Sequence, residues 1–95
     1  MYEWDPKKAT ANLVKHGVSF EEARTAFDDV NGLDGEDIAH SEIERRRLRL
    51  ARSSAGRILL VAYTKRRRWH EDITRIISAR QASRKERNRY EAPED

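Results

Sequence analysis

Three histidines, His16, His40 and His70, are the side chains in this sequence that titrate near neutral pH without special surroundings. His40 is the best placed for moving protons, because Glu36, Asp37 and Glu42 flank it and can raise or orient its imidazole. The same carboxylates repel a polyanion, and they could equally fix the loop that enters the sheet. His16 precedes Gly17 at the end of a helical pattern, where an imidazolium meets the negative end of the helix dipole, which favours a structural cap. His70 adjoins Trp69 and the run Arg66-Arg67-Arg68. An exposed indole among arginines can stack a base while the guanidinium groups hold phosphates, although a solvated hairpin tip fits the same residues. No two histidines stand at ligand spacing and the chain has no cysteine, which argues against a metal site and excludes disulfides and thiolate nucleophiles. Glycine-rich phosphate loops and the GxSxG pattern are absent as well, and no cofactor is expected.

The charges are divided along the chain. Residues 1–40 carry 4 basic and 9 acidic side chains, whereas residues 41–90 carry 16 basic and 5 acidic ones, although the net charge is only +3. An excess of this kind is the footprint of a surface that meets phosphates, since each Lys or Arg displaces a condensed counterion. A solvated basic face is the plainer alternative. Charged residues amount to 39% and hydrophobic ones to 37% of the 95 residues, so the core must be thin and one small domain over 1–90 is expected, with a short acidic tail at 91–95. The longest apolar run, residues 58–63, falls far short of the roughly 18 residues needed to span a bilayer. The first residues lack the basic region and apolar stretch of a signal peptide, so a cytoplasmic protein is expected.

The elements that must position these residues follow from local patterns. Tyr2 and Trp4 alternate with Glu3 and Asp5 as in a short strand, and Asp5-Pro6 then reads as an N-cap followed by proline in the first helical turn. A helix over 6–16 ends at Gly17. Ser19 and Glu22 have capping-box spacing, and Phe20, Ala23 and Phe27 give a second helix to about Asp28. Residues 29–36, with Gly32 and Gly35 among acidic residues, read as a loop. Arg47 to Leu50 alternates like a half-buried strand, residues 58–64 read as a strand covered on both faces, and residues 73–80 give a third after a polar connection over 65–72. The turn Ser53-Ser54-Ala55-Gly56 joins the first two, and Ser83 with Glu86 caps a basic helix to Tyr90. The expected fold is α+β: strand, helix, helix, three antiparallel strands, helix, in a small two-layer sandwich whose face away from the first two helices is left for function.

Several segments occur together in the order of a known family: Trp4-Asp5-Pro6, Asn12, Lys15-His16-Gly17-Val18-Ser19-Phe20-Glu21-Glu22-Ala23, Phe27, His40-Ser41-Glu42, Gly56-Arg57 and Arg75-Ile76-Ile77-Ser78-Ala79-Arg80. In these the chain resembles BrnT-type toxins over about residues 2–90. The resemblance implies a RelE-like fold, metal-independent ribonuclease activity, and a type II toxin-antitoxin pair. It also implies a ribbon-helix-helix antitoxin, with operator DNA bound through the complex. Gln81 departs from the lysine common in the family, and residues 65–72 lack the glycines usual there.

Cleavage of RNA by its own 2′-hydroxyl requires a base, positive charge for the phosphorane-like transition state, and an acid for the departing 5′-oxygen. His40 and Glu42 are the candidates for proton transfer, and Arg80 and Arg75 for charge. Ser78 and Arg80 share strand parity, and Arg75 faces the other way unless a bulge intervenes. Arg80 is favoured because it adjoins the helix carrying Arg84, Lys85 and Arg87, with Arg75 as the rival. These three helix residues, with Arg67, Arg68, Trp69 and Ser78, are the candidate RNA contacts. The competing functions are a non-catalytic nucleic-acid-binding module and an adaptor that only binds the antitoxin.

Overall fold

A computed structural model describes residues 1–40 and 45–92 of the chain. Strand β1 (Tyr2–Glu3) leads into helix α1 (Pro6–His16), and the Asp5 side chain accepts from the Lys7 N–H as the expected N-cap. Gly17 ends α1 with φ at 68°, a left-handed conformation that a side chain would strain, while its N–H donates to the Leu13 carbonyl. Helix α2 (Phe20–Thr25) tightens into a 3-10 turn over Ala26–Asp28. Strands β2 (Leu33–Glu36), β3 (Arg46–Arg52), β4 (Ile58–Arg68) and β5 (Glu71–Gln81) follow, and helix α3 (Arg84–Glu91) comes last. Among the described residues no helix is long and apolar enough to cross a membrane.

The strands form one sheet in the order β1-β5-β4-β3-β2, with β1 parallel to β5 and the other pairs antiparallel. Helices α1 and α2 lie against one face. Val18, Phe20, Ala23 and Ala26 meet Ala51, Leu59, Val61, Ile76 and Ala79 there, and all are almost wholly removed from water. Trp4 and Phe27 close the margins of this layer, Trp4 meeting the Phe20 ring edge-on. The far face carries α3.

The α+β order expected from sequence is therefore present, with three local corrections. Residues 29–36 are not all loop, because Leu33–Glu36 pairs with Arg47–Leu50 as an edge strand. Its side chains are all exposed, and a short polar edge of this kind discourages pairing with other chains. The polar connection over 65–72 is shorter than expected: β4 and β5 run on to Arg68 and from Glu71, leaving Trp69 and His70 as a two-residue turn. Both have positive φ, 53° and 67°, as a type I′ turn requires and as glycine or asparagine would adopt more readily. The Ser19 hydroxyl accepts from the Glu22 N–H, but the Glu22 carboxylate does not complete that capping box. It binds Arg57 and accepts from the Ser53 hydroxyl, tying α2 to the β3-β4 turn. Ser83 and Glu86 do form the expected box.

A buried amide fixes β5 beneath α1. The Asn12 side chain donates to the carbonyls of Val18 and Ala79 and accepts from the Ala79 N–H. Strand β1 pairs only with Thr74 and Arg75, so Asn12 takes the place of a neighbouring strand further along that edge.

Candidate functional site

Strand β5 holds one residue more than its partner at the centre of the sheet. Ala62 pairs with Ser78, but Tyr63 pairs with Ile76, so Ile77 is the extra residue of a bulge. The bulge reverses the parity expected from sequence: Arg75, opposite Thr64, Ser78, opposite Ala62, and Arg80, opposite Leu60, all face away from α1 and α2. Arg75 and Arg80 stand four β4 positions apart, roughly 13 Å at the usual rise of a strand. That is too far for one phosphate and suitable for two along a strand.

Each of these guanidinium groups already has a carboxylate. Arg75 donates to Glu3 at 2.8 Å, and Arg68 reaches the same carboxylate at 3.7 Å. The Arg75 bond, with the field of the neighbouring arginines, holds the Glu3 carboxyl below its ordinary range. Arg80 grips both oxygens of Glu86 at 2.8 and 2.9 Å, chiefly lowering that carboxyl to about 2, with help from the Ser83 backbone N–H. Glu86 thus serves the α3 cap and the last strand together.

Of the other candidate contacts, Ser78 is exposed, and Arg67, Arg68 and Trp69 occupy the exposed hairpin tip. Glu86 and Tyr90 point α3 inward, the Tyr90 hydroxyl donating to Asp29 at 2.5 Å. At about 100° per residue Arg84 then lies opposite Glu86, with Lys85 and Arg87 on the flanks, so α3 presents these cations to solvent. The Glu42 candidate lies outside the described residues, as does the side chain of His40, whose backbone ends a 3-10 turn. His16 closes α1 and His70 occupies the turn.

A second constellation was not evident from sequence. A cleft of about 640 Å³ opens on the α1-α2 side of the sheet, past the end of the helical layer, between Tyr2, Phe27, Asp34, Arg47, Tyr63 and Lys65. The buried Tyr63 hydroxyl donates to Asp34 at 2.6 Å and accepts from Arg47 Nε at 3.3 Å. Burial and the Asp34 carboxylate push the phenol pKa up, so the hydroxyl keeps its proton. Arg49 joins Asp34 to the carbonyls of Ala26 and Asp29, and a Cβ on Gly32 would collide with its guanidinium. The clue in the sequence was the alternation of Arg45, Arg47 and Arg49, but their carboxylate lay in a segment that reads as a loop.

An α+β sheet with two helices on one face, a terminal helix on the other and arginines along its last strand defines the class. The same fold occurs in the crystal structure of the Brucella abortus ribonuclease toxin BrnT, with a TM-score of 0.60 and 21% identity over 88% of this chain and 99% of that one. The family model described as "Ribonuclease toxin, BrnT, of type II toxin-antitoxin system" matches residues 4–86. The chain belongs to this BrnT family of ribonuclease toxins. No curated protein sequence matches it.

Proposed function

We propose that the chain is a metal-independent endoribonuclease that cleaves mRNA on the far face of its sheet. The carrying observation is the β5 bulge, which turns Arg75, Ser78 and Arg80 to one side. The substrate's 2′-oxygen attacks phosphorus, the bond to the 5′-oxygen breaks, and a 2′,3′-cyclic phosphate and a 5′-hydroxyl result. His40 or Glu42 takes the 2′-hydroxyl proton, and an acid returns one to the leaving oxygen. Arg80 meets the charge that develops on the oxygens of the reacting phosphoryl group, and Arg75 holds another phosphate of the strand, Glu86 and Glu3 giving way to the substrate. Arg67, Arg68, Trp69, Arg84, Lys85 and Arg87 extend the contact to flanking nucleotides. A ribbon-helix-helix antitoxin neutralises the toxin, and the complex binds operator DNA, in the cytoplasm.

Purified protein with single-stranded RNA and excess EDTA tests the reaction. Cyclic phosphate ends are expected, Arg80→Ala should lower the rate by about a hundredfold, and Arg75→Ala should act mainly by weakening RNA binding. Intact RNA, or cutting that occurs only with added metal, refutes it. The ion pairs on Arg75 and Arg80 favour a second reading, a silent nucleic-acid-binding module or antitoxin adaptor. Such a protein gives a salt-dependent shift of RNA, or complex formation alone, without turnover.

A further inference from the structure

We propose that the cleft around Tyr63 is a second phosphate-binding site, which holds the backbone of the RNA strand away from the point of cleavage. The proposal rests on the RNA-cleaving reading for the identity of its ligand, but its residues lie on the other side of the sheet. The ion pairs of the cleft leave two cations over. Asp34 is engaged by Arg49 at 2.5 Å and by the Tyr63 hydroxyl, and Glu36 is engaged by Arg45 at 3.2 Å. Arg47 is fixed only through its Nε to the Tyr63 oxygen, which leaves the two terminal nitrogens of its fork for another acceptor. Lys65 donates to the Thr74 hydroxyl at 3.2 Å and lies over the Tyr63 ring at 5.9 Å. Among the described residues neither Arg47 nor Lys65 has a carboxylate in salt-bridge contact.

Two cations outside salt-bridge contact at an open cleft, one of them held at a fixed angle by a buried phenol and sharing the field of Asp34 and Glu36 with Arg49 and Arg45, suit an anion with several oxygens. The volume of about 640 Å³ suits one nucleotide, and Tyr2 and Phe27 supply an apolar wall for its sugar or base. The cleft lies at the same end of the sheet as Arg75. Successive side chains at the start of β3 alternate, so Arg47 faces the cleft while Arg46, opposite Thr64 and in line with Arg75, faces the other side. A single strand passing round that end of the sheet would run from Arg47 to Arg75.

The test is binding of a short single-stranded RNA carrying 2′-O-methyl groups, which cannot supply the attacking hydroxyl, measured by anisotropy across a salt series. Removing the cation that neutralises one phosphate of a single strand reduces the slope of log K against log salt by about 0.7. The double variant Arg47→Gln/Lys65→Gln should therefore lower the slope by about 1.4 and weaken binding about tenfold at low salt, and Lys65→Gln alone should lower it by about 0.7. Far-ultraviolet dichroism and melting of each variant establish that it is folded. Slopes equal to the parent's, or a change seen only with duplex DNA, overturn the site. Cleavage of unmodified RNA by the parent protein is assayed in parallel. A reduced slope without cleavage supports the phosphate site while removing the catalytic reading, and cleavage with an unchanged slope removes the site alone.

Discussion

Replacing Asn12 tests whether one side chain holds β5 in place. Its amide makes three hydrogen bonds to the main chain of Val18 and Ala79, both wholly buried, and is itself only 7% exposed. In Asn12→Ala the two carbonyls and one N–H lose these partners. A buried polar group left without a partner costs roughly 1–3 kcal/mol, so the loss should be about 3–5 kcal/mol, a large share of the 5–15 kcal/mol typical of a domain. Urea unfolding should show it as a lower midpoint at constant slope, and the melting temperature should fall by at least about 12 °C. Asn12→Leu separates hydrogen bonding from packing, because leucine restores the volume and none of the bonds, and it should be as unstable as alanine. In Asn12→Asp, a carboxylate faces two carbonyl oxygens, which raises its pKa in the folded state above the unfolded value of about 3.9. The folded state then binds the proton more tightly, so this variant should regain stability as the pH is lowered through that raised pKa. Losses below about 1 kcal/mol for both Asn12→Ala and Asn12→Leu would refute the reasoning.

Three further outcomes are expected. The Glu86 carboxyl, lowered to about 2 from 4.5, contributes stability that is complete above pH 4.5 and lost as the pH falls from 4.5 towards 2. Glu86→Gln should flatten that acid limb in urea titrations and, by releasing Arg80, tighten RNA binding about threefold to tenfold. Replacing the strained turn by Trp69→Asn/His70→Gly should raise stability by about 1–2 kcal/mol while weakening RNA binding by about 1–3 kcal/mol if the indole stacks on a base. A melt that rises with RNA affinity unchanged would leave Trp69 without that role. The Thr64 hydroxyl is buried without a hydrogen-bond partner among the described residues, so Thr64→Val should raise stability by about 1 kcal/mol in thermal melts.

The parts of the fold legible in the sequence are those set by neighbours in the chain. Asp5-Pro6, Gly17 and Ser83 mark helix ends because a cap is satisfied within a few residues, and α1 falls at 6–16 as its caps require. Strand β2 escaped notice because its partner supplies what its own residues lack: Leu33 to Glu36 has two acidic residues and a glycine, and becomes a strand only against β3. The bulge was not legible either. Ile76 and Ile77 are equally apolar, so the pattern did not show that Ile77 is the extra residue, and the orientation of Arg75 depended on that one residue.

The charge division of the chain has a similar explanation. Residues 1–40 carry most of the acidic charge and residues 41–90 most of the basic charge. In the fold these carboxylates are distributed among the arginines: Glu3 to Arg75 and Arg68, Glu22 to Arg57, Asp34 to Arg49, Glu36 to Arg45. Four acidic side chains from the first part of the chain thus meet five arginines from the second, and this pairing joins the edge strands and α2 to the strands of the sheet. A basic excess counted along the sequence therefore overstates the charge that any phosphate can meet. The cations of α3, Arg67 near the hairpin tip, and Arg47 and Lys65 in the cleft stand outside this pairing, on separate parts of the surface. An RNA strand that engaged all of them would have to extend around the molecule, and a substrate confined to one hollow would meet only a fraction of the charge.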